Sequence, residues 1–341
     1  MNKALKVLVV FEMEETPPEG HDYRATFKAQ LAYWKTELEV IRGLMKLGHE
    51  VIPIGVYNDV ADLVTQVRAQ MPDVVFNLTE HFNKIHSYDR NIAGLFELLG
   101  VPYTGSGPVG LANCKNKAIA KKLLGFHHIK NPSFMLYARG QKVKRKKELK
   151  FPIFVKPLHM DSSYGISQAS LVDGEKELAE RIMFIHESLG QDALAETYID
   201  GREFFVSLLG EARLRTYPMR EIVYTKVPED EPKFLTFRAK WNEDYQKKWG
   251  IQNVFAKDID EKLIQKIHSI CKRAFRILQL SGYARVDLRV TPQNDVYVLE
   301  VNPNPALGKD EDFMLSLMKS GLGYEQILQK LLQLGLGERR V

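Results

Sequence analysis

The sequence predicts an α/β protein, with a parallel-sheet module at the N-terminus and two α+β modules after it. Three observations carry this reading. In the first hundred residues, short apolar runs alternate with amphipathic helical patterns, the βαβ rhythm of a parallel sheet. From Phe151 the pattern changes to short strands joined by polar turns, with helices between them. A chain of 341 residues is also too long for one small domain and suits two or three modules that each bury a core.

The elements follow in order. Leu5 to Phe11 is an unbroken apolar run of strand length, as a strand buried on both faces requires. Lys35 to Leu47 has helical spacing of apolar residues and is stopped by Gly48. Val51 to Ile54 and Val74 to Asn77 supply two further strands. The turn residues of Tyr103-Thr-Gly-Ser-Gly-Pro108 follow another short strand, so the first module is assigned residues 1–105. A lysine-rich helix is expected from about Asn113 to Leu124, in a second module covering 106–198. That module continues with strand Ile153 to Lys156, a loop through Gly165, strand Ser167 to Leu171, helix Glu175 to Glu187 and strand Ala193 to Tyr198. The third module, 199–341, contains strand Phe204 to Leu209 and a long helix, Glu261 to Leu278. Its last two strands, Ala284 to Val290 and Val296 to Val301, are expected to pair as a hairpin.

Composition excludes several classes of function. Hydrophobic residues make up 45% and charged residues 27%, ordinary for a globular protein. No apolar run approaches a membrane span, and the N-terminal apolar stretch runs at once into Glu12, Glu14 and Glu15, unlike a signal peptide. Cys114 and Cys271 lie far apart without metal-ligand spacing, so neither a disulfide framework nor a zinc site is indicated and a cytoplasmic location is expected. The net charge of +5 comes almost entirely from the run Lys142 to Lys150, which lacks interleaved aromatic residues and reads as a solvated face rather than a nucleic-acid platform.

Three segments carry chemistry. Arg285-Val-Asp287 and Leu299-Glu300-Val-Asn302 fall on the two strands of the expected hairpin, where residues two apart share a face. Asp287, Glu300 and Asn302 would thereby meet as oxygen donors suited to Mg²⁺ ions shared with phosphates. The plain alternative is a solvated sheet face, weakened by the alternation with Val286, Leu299 and Val301 and by the prolines after Asn302. In the second segment Lys156 ends a strand and is followed by a turn with Ser162, Ser163, Gly165 and Ile166, which offers an ammonium and backbone N–H groups to a triphosphate. Alone it is also a commonplace strand end. The third, Glu196-Thr-Tyr198-Ile199-Asp-Gly201-Arg-Glu203, brackets apolar residues with two acceptors, as an adenosine site does and as an ordinary hairpin with surface glutamates also does.

Taken together and in this order, the segments resemble the ATP-grasp superfamily and, within it, the D-alanine–D-alanine ligase family, over roughly Pro72 to Leu307. The resemblance implies a Rossmann-like N-terminal domain and two subdomains that clasp ATP. It implies that Lys117 and Lys156 hold phosphates and that Glu196 takes the adenine amine beside backbone atoms of Tyr198 and Ile199. Glu203 would hold the ribose. Ser162, Ser163, Ile166, Phe234 and Leu299 count among the nucleotide contacts. Lys240 matches a further phosphate-facing lysine, and Arg285, with Lys240 and Ser162, would act on the transferring phosphoryl and the tetrahedral intermediate. Asp287, Glu300 and Asn302 match the ligands of two Mg²⁺ ions, with Mn²⁺ as a substitute. The loop His159 to Gly165 would act as a lid.

The implied activity is ATP-dependent amide formation between a carboxylate and an amine, amino acid or peptide, through an acyl phosphate, with neither nucleic acid nor membrane as partner and a homodimer left open. The readings that compete with it are an ATP-grasp kinase and a non-catalytic ATP-binding regulator.

The chain also departs from that family. After Phe11 it has Glu12-Met-Glu14-Glu15-Thr-Pro-Pro in place of the glycine-serine-glutamate signature, and Leu78-Thr-Glu80-His81-Phe82 in place of His-Gly. His81 reads more readily as structural than as a substrate contact. Trp241 replaces a tyrosine, Ala306 replaces a glycine near the nucleophile, and Asp161 replaces a glycine beside Ser162. An acceptor pocket altered at these points is expected to serve substrates other than two D-alanines, with Glu12, Glu14, Glu15, His21 and Arg24 as groups to receive them.

Overall fold

The computed structural model describes residues 3–15, 33–160, 163–228 and 232–337. Its first sheet has the order β2-β1-β3, with β1 (Lys6–Glu12) parallel to both neighbours, β2 (Glu50–Val56) and β3 (Val74–Asn77). Helix α1 (Lys35–Lys46) connects β1 to β2 and α2 (Ala61–Gln70) connects β2 to β3; α3 (Asp89–Leu99) follows. Both faces are covered, which explains the unbroken apolar run: Val7, Val9 and Phe11 enter one core while Leu8 and Val10 enter another. After β3 the chain passes Tyr103, which bridges in parallel to Val75, and enters the connecting helices.

The single helix expected from Asn113 to Leu124 is in fact two, α4 (Pro108–Lys115) and α5 (Lys117–Phe126). Asn116 divides them, because it is extended (φ −102°, ψ 98°) and its side chain caps α5 by accepting from the amides of Ala118 and Ile119. The central sheet is antiparallel, in the order β4-β7-β5-β6, formed by β4 (Phe134–Tyr137), β5 (Ile153–Pro157), β6 (Leu171–Val172) and β7 (Ala193–Thr197). Helix α6 (Glu175–Ser188) covers one face with Leu178, Ile182 and Ile185. The strand expected from Ser167 is mostly a 3-10 turn over Gln168–Ser170, because Ser167 and Ser170 close a reciprocal capping box and only Leu171 and Val172 pair with β5.

The largest sheet is formed by β8 (Arg202–Leu209), β9 (Arg215–Thr216), β10 (Arg220–Tyr224), β11 (Ile251–Phe255), β12 (Tyr283–Val290) and β13 (Val296–Pro303). Its order is β11-β10-β8-β12-β13, with β9 on β8. The short helices α7 (Phe237–Trp241) and α8 (Glu243–Trp249) lie between β10 and β11, and α9 (Glu261–Ile277) packs Ile267, Cys271, Ala274 and Phe275 on the sheet. The expected hairpin is present as antiparallel β12 and β13. Helices α10 (Asp312–Lys319) and α11 (Tyr324–Gly337) return to the first sheet and share a core with β1, β3 and α1. No helix among the described residues is long and apolar enough to cross a membrane.

Candidate functional site

A cleft of about 710 Å³ is lined by both antiparallel sheets. On the central sheet Ile153 and Val155 are fully buried in the core, so the intervening Phe154 and Lys156 face the cleft. Glu196 pairs in register with Phe154, two residues along from Lys156 on the same face. Lys156 Nζ lies 2.8 Å from Glu196 Oε1, and Lys121 Nζ lies 2.8 Å from Oε2. Burial alone would raise the Glu196 pKa, but the two ammonium groups outweigh it and hold the carboxylate at about 2. Burial in turn lowers the Lys121 pKa. Glu196 is therefore a charged acceptor held from both sides. The sequence reading missed Lys121; its spacing of four from Lys117 places both on one face of α5, the signal that was available.

Lys117 links the cleft's two walls, donating to the carbonyl of Met160 at 2.7 Å and lying 3.3 Å from Glu300 Oε1. The turn after β5 brings Ser163 and Ile166 to the cleft, whereas Asp161 and Ser162 lie outside the described residues. Gly165 has φ +74°, and a Cβ there would meet the Leu189 side chain at 2.6 Å, so the turn requires glycine. Arg181 anchors it by donating to the Gly165 carbonyl and to Ser170 Oγ. The Ile166 carbonyl accepts from the amide of Phe237 at 3.0 Å, which docks the turn on α7, the helix that carries Lys240. Lys240 stands 5.1 Å from the Trp241 ring centre, and burial together with Arg285 lowers its pKa.

The opposite wall is β12–β13. Val286, Leu288 and Val290 are in the core, which leaves Arg285, Asp287 and Arg289 toward the cleft. Asp287 is opposite Glu300 and Arg285 opposite Asn302; a register shift after Asp287 leaves Leu299 as an extra residue, and it too lines the cleft. Arg285 grips Asp287 with two bonds of 2.8 and 2.9 Å, and Asn302 Nδ2 donates to Asp287 Oδ2 at 2.9 Å. Burial would lower the Arg285 pKa, but Asp287 raises it by more. Asp287, Glu300 and Asn302 offer oxygen donors with two charges, which fits a hard divalent cation. Among the described residues no three His, Cys, Asp or Glu side chains cluster to hold a metal unaided, so such a cation would draw further oxygens from a ligand.

At the other end, the rings of Phe154 and Tyr198 each meet Phe234 edge-on, with centroids 5.1 and 6.3 Å apart. The Tyr198 amide donates to the Pro152 carbonyl, so what Tyr198 offers the cleft is its ring and carbonyl. Ile199 and Glu203 complete this end, and Glu203 is held by Arg289, a second residue the sequence reading missed.

A separate group of acids sits at the carboxyl end of β1, where parallel sheets commonly bind ligands. Glu12 accepts from the amide of Glu80 at 2.9 Å, and burial together with Glu80 pushes it up to about 8; burial raises Glu37 to about 7. His81 is buried beside His86, and burial lowers its pKa. His21 and Arg24 lie outside the described residues. Because the folded Glu12 pKa exceeds the ordinary 4.5, its contribution favours the folded state at low pH and is lost as pH rises from about 4.5 through about 8. Glu12→Gln should flatten the stability profile across that window, read as urea midpoints at several pH values. A profile with the wild-type slope would remove Glu12 as its source.

Comparison with known proteins gives consistent matches. Residues 122–333 match the family model described as D-ala D-ala ligase C-terminus. The chain is 33% identical to the uncharacterized protein y4sG of Sinorhizobium fredii, over 86% of this chain and 85% of that protein. It is 31% identical to the D-alanine–D-alanine ligase of Natranaerobius thermophilus, over 74% of this chain and 67% of that one. The fold is similar to that of the Bacillus anthracis D-alanine–D-alanine ligase solved in complex with ATP, with a TM-score of 0.75, 21% identity and 98% of each chain covered.

Proposed function

Because the chain belongs to the D-alanine–D-alanine ligase family of ATP-grasp ligases, we propose that it uses ATP and Mg²⁺ to join a carboxylate to an amine through an acyl phosphate. The observation that carries this reading is convergence. Every described residue assigned to nucleotide, phosphoryl or metal from the sequence lines the same cleft, although these residues come from six separate segments of the chain.

In this reading the base lies among Phe154, Tyr198 and Phe234, with Glu196 as the acceptor for its amine. The phosphates extend toward Lys117, Lys156 and Lys240. Mg²⁺ held by Asp287, Glu300 and Asn302 would neutralise phosphate charge. Arg285, held by Asp287, presents its guanidinium toward the transferring phosphoryl. A carboxylate oxygen is a poor leaving group, and its activation needs positioning and charge neutralisation more than covalent help from the protein. The turn at Gly165 docks on α7 and would close over the reacting end, excluding water from the acyl phosphate.

We propose acceptor and donor substrates other than two D-alanines. Glu311 lines the cleft near Lys240 and Arg285, and burial and Asp312 raise its pKa. A carboxylate there favours an ammonium group and disfavours a second carboxylate. Trp241 is more than half exposed at the same end and donates but does not accept. The test is phosphate release from ATP with a panel of L- and D-amino acids and short peptides, followed by product analysis. Amide and free phosphate are expected, with D-alanine alone not the best substrate. A stable phosphorylated product would show a kinase instead, and D-alanine turnover unmatched by any other panel member would overturn the substrate proposal.

A further inference from the structure

Arg289 has no place in the chemistry described above, yet it is 3% exposed and carries a guanidinium at the adenosine end of the cleft. Its register partner across β8 and β12 is Glu203. Nε and Nη2 both donate to one oxygen of that carboxylate, Oε2, at 3.1 and 2.7 Å. Nη1 donates to the Ile199 carbonyl at 2.8 Å, and Nη2 also donates to the Lys233 carbonyl at 2.6 Å. The Tyr198 hydroxyl donates to the same Lys233 carbonyl at 3.1 Å, and the guanidinium carbon lies 4.9 Å from the centre of the Tyr198 ring.

Two features of this arrangement point to a ligand. A buried guanidinium is costly, and Phe205 and Ile222 on the same cleft face show that apolar residues can close this sheet, so packing alone does not account for it. The grip is also one-sided. Among the described residues Glu203 Oε1 makes no hydrogen bond, although Glu203 lines the cleft. An ionised carboxylate only accepts, and anchoring one oxygen fixes the direction in which the other accepts.

We infer that Arg289 is the positioning residue for sugar recognition: it holds Glu203 by one oxygen so that the other meets the nucleotide's ribose hydroxyls. By gripping the Ile199 and Lys233 carbonyls it also ties the two segments that flank the base, 198–199 and 233–234, to a single strand. The inference rests on the nucleotide site proposed above and concerns how that site selects ribose.

The test is equilibrium binding of ATP, 2′-deoxy-ATP and 3′-deoxy-ATP, each with Mg²⁺, to the full chain. The wild type should prefer ATP over at least one deoxy analogue by about tenfold or more, the value of one hydrogen bond to a charged group. Arg289→Met should weaken ATP about tenfold and bring the ratio to within about twofold of unity, because Glu203 is no longer held; Arg289→Lys should restore part of the preference. Thermal melts check that each variant is folded. If Arg289→Met does not fold, Arg289→Gln keeps polar atoms for the carbonyls while withdrawing the charge from Glu203, and carries the same expectation. Full ribose preference in a folded Met or Gln variant would overturn the inference alone. A wild type that binds ATP without ribose preference would do the same while leaving the ligase reading in place. A wild type that binds no ATP would overturn both.

Discussion

Arg285→Met should lower turnover by about two to three orders of magnitude, with nucleotide affinity changed far less. The guanidinium is largely shielded from solvent and held by two bonds to Asp287, so it is preorganised where charge develops on the transferring phosphoryl group. Loss of one preorganised donor has this size of effect because the donor acts mainly in the transition state. Methionine also leaves Asp287 without its strongest partner, so the variant must be shown to be folded. Phosphate release at saturating substrates, set beside ATP binding, makes the measurement. A variant with nearly normal turnover would place the phosphoryl group elsewhere, and one that simply fails to bind ATP would make Arg285 a binding residue.

Glu300→Gln should reduce turnover by about two orders of magnitude or more, with a raised Mg²⁺ requirement. Mg²⁺ is commonly held by one or two carboxylates and completed by phosphate oxygens, so neutralising one of two charged donors removes a large share of the protein's hold. Glu300 also lies 3.3 Å from Lys117 Nζ, so the substitution disturbs a phosphate-facing lysine as well. The two effects separate in a metal titration: Lys117→Met should weaken ATP without changing the Mg²⁺ requirement. Normal turnover of Glu300→Gln at saturating Mg²⁺ would remove the metal assignment.

The parts of this site legible in the sequence are those set by local periodicity. Alternation along β12 and β13 was enough to place Arg285 and Asp287 on one face with Glu300 and Asn302, because strand geometry fixes which side chains share a side. The same alternation runs on to Arg289, but nothing local marks it as paired with Glu203, 86 residues earlier in the chain. Lys121 was obscured for the same reason, since its partner Glu196 arrives from another sheet. Leu299 was reached only through the family resemblance, because it faces the cleft beside Glu300 through a one-residue slip of the ladder that has no signature in the residue pattern. In the fold, β10, β11 and the short helices between them were missed because that stretch is short-ranged and mixed in polarity, and tertiary pairing decides its form.

The return of α10 and α11 to the first sheet has a consequence for how the polypeptide acquires its shape. Val7, Val9 and Phe11, near the start of the chain, share a core with Phe313, Leu317, Leu328 and Leu331. Gly335 lies so close to Tyr103 that an added Cβ would sit 2.8 Å from its carbonyl oxygen. A ribosome adding residues at 5–20 per second therefore releases β1 long before its covering helices exist. Until then α1 alone packs on that face of the parallel sheet, and the apolar surface left open for that interval is the surface a chaperone would recognise.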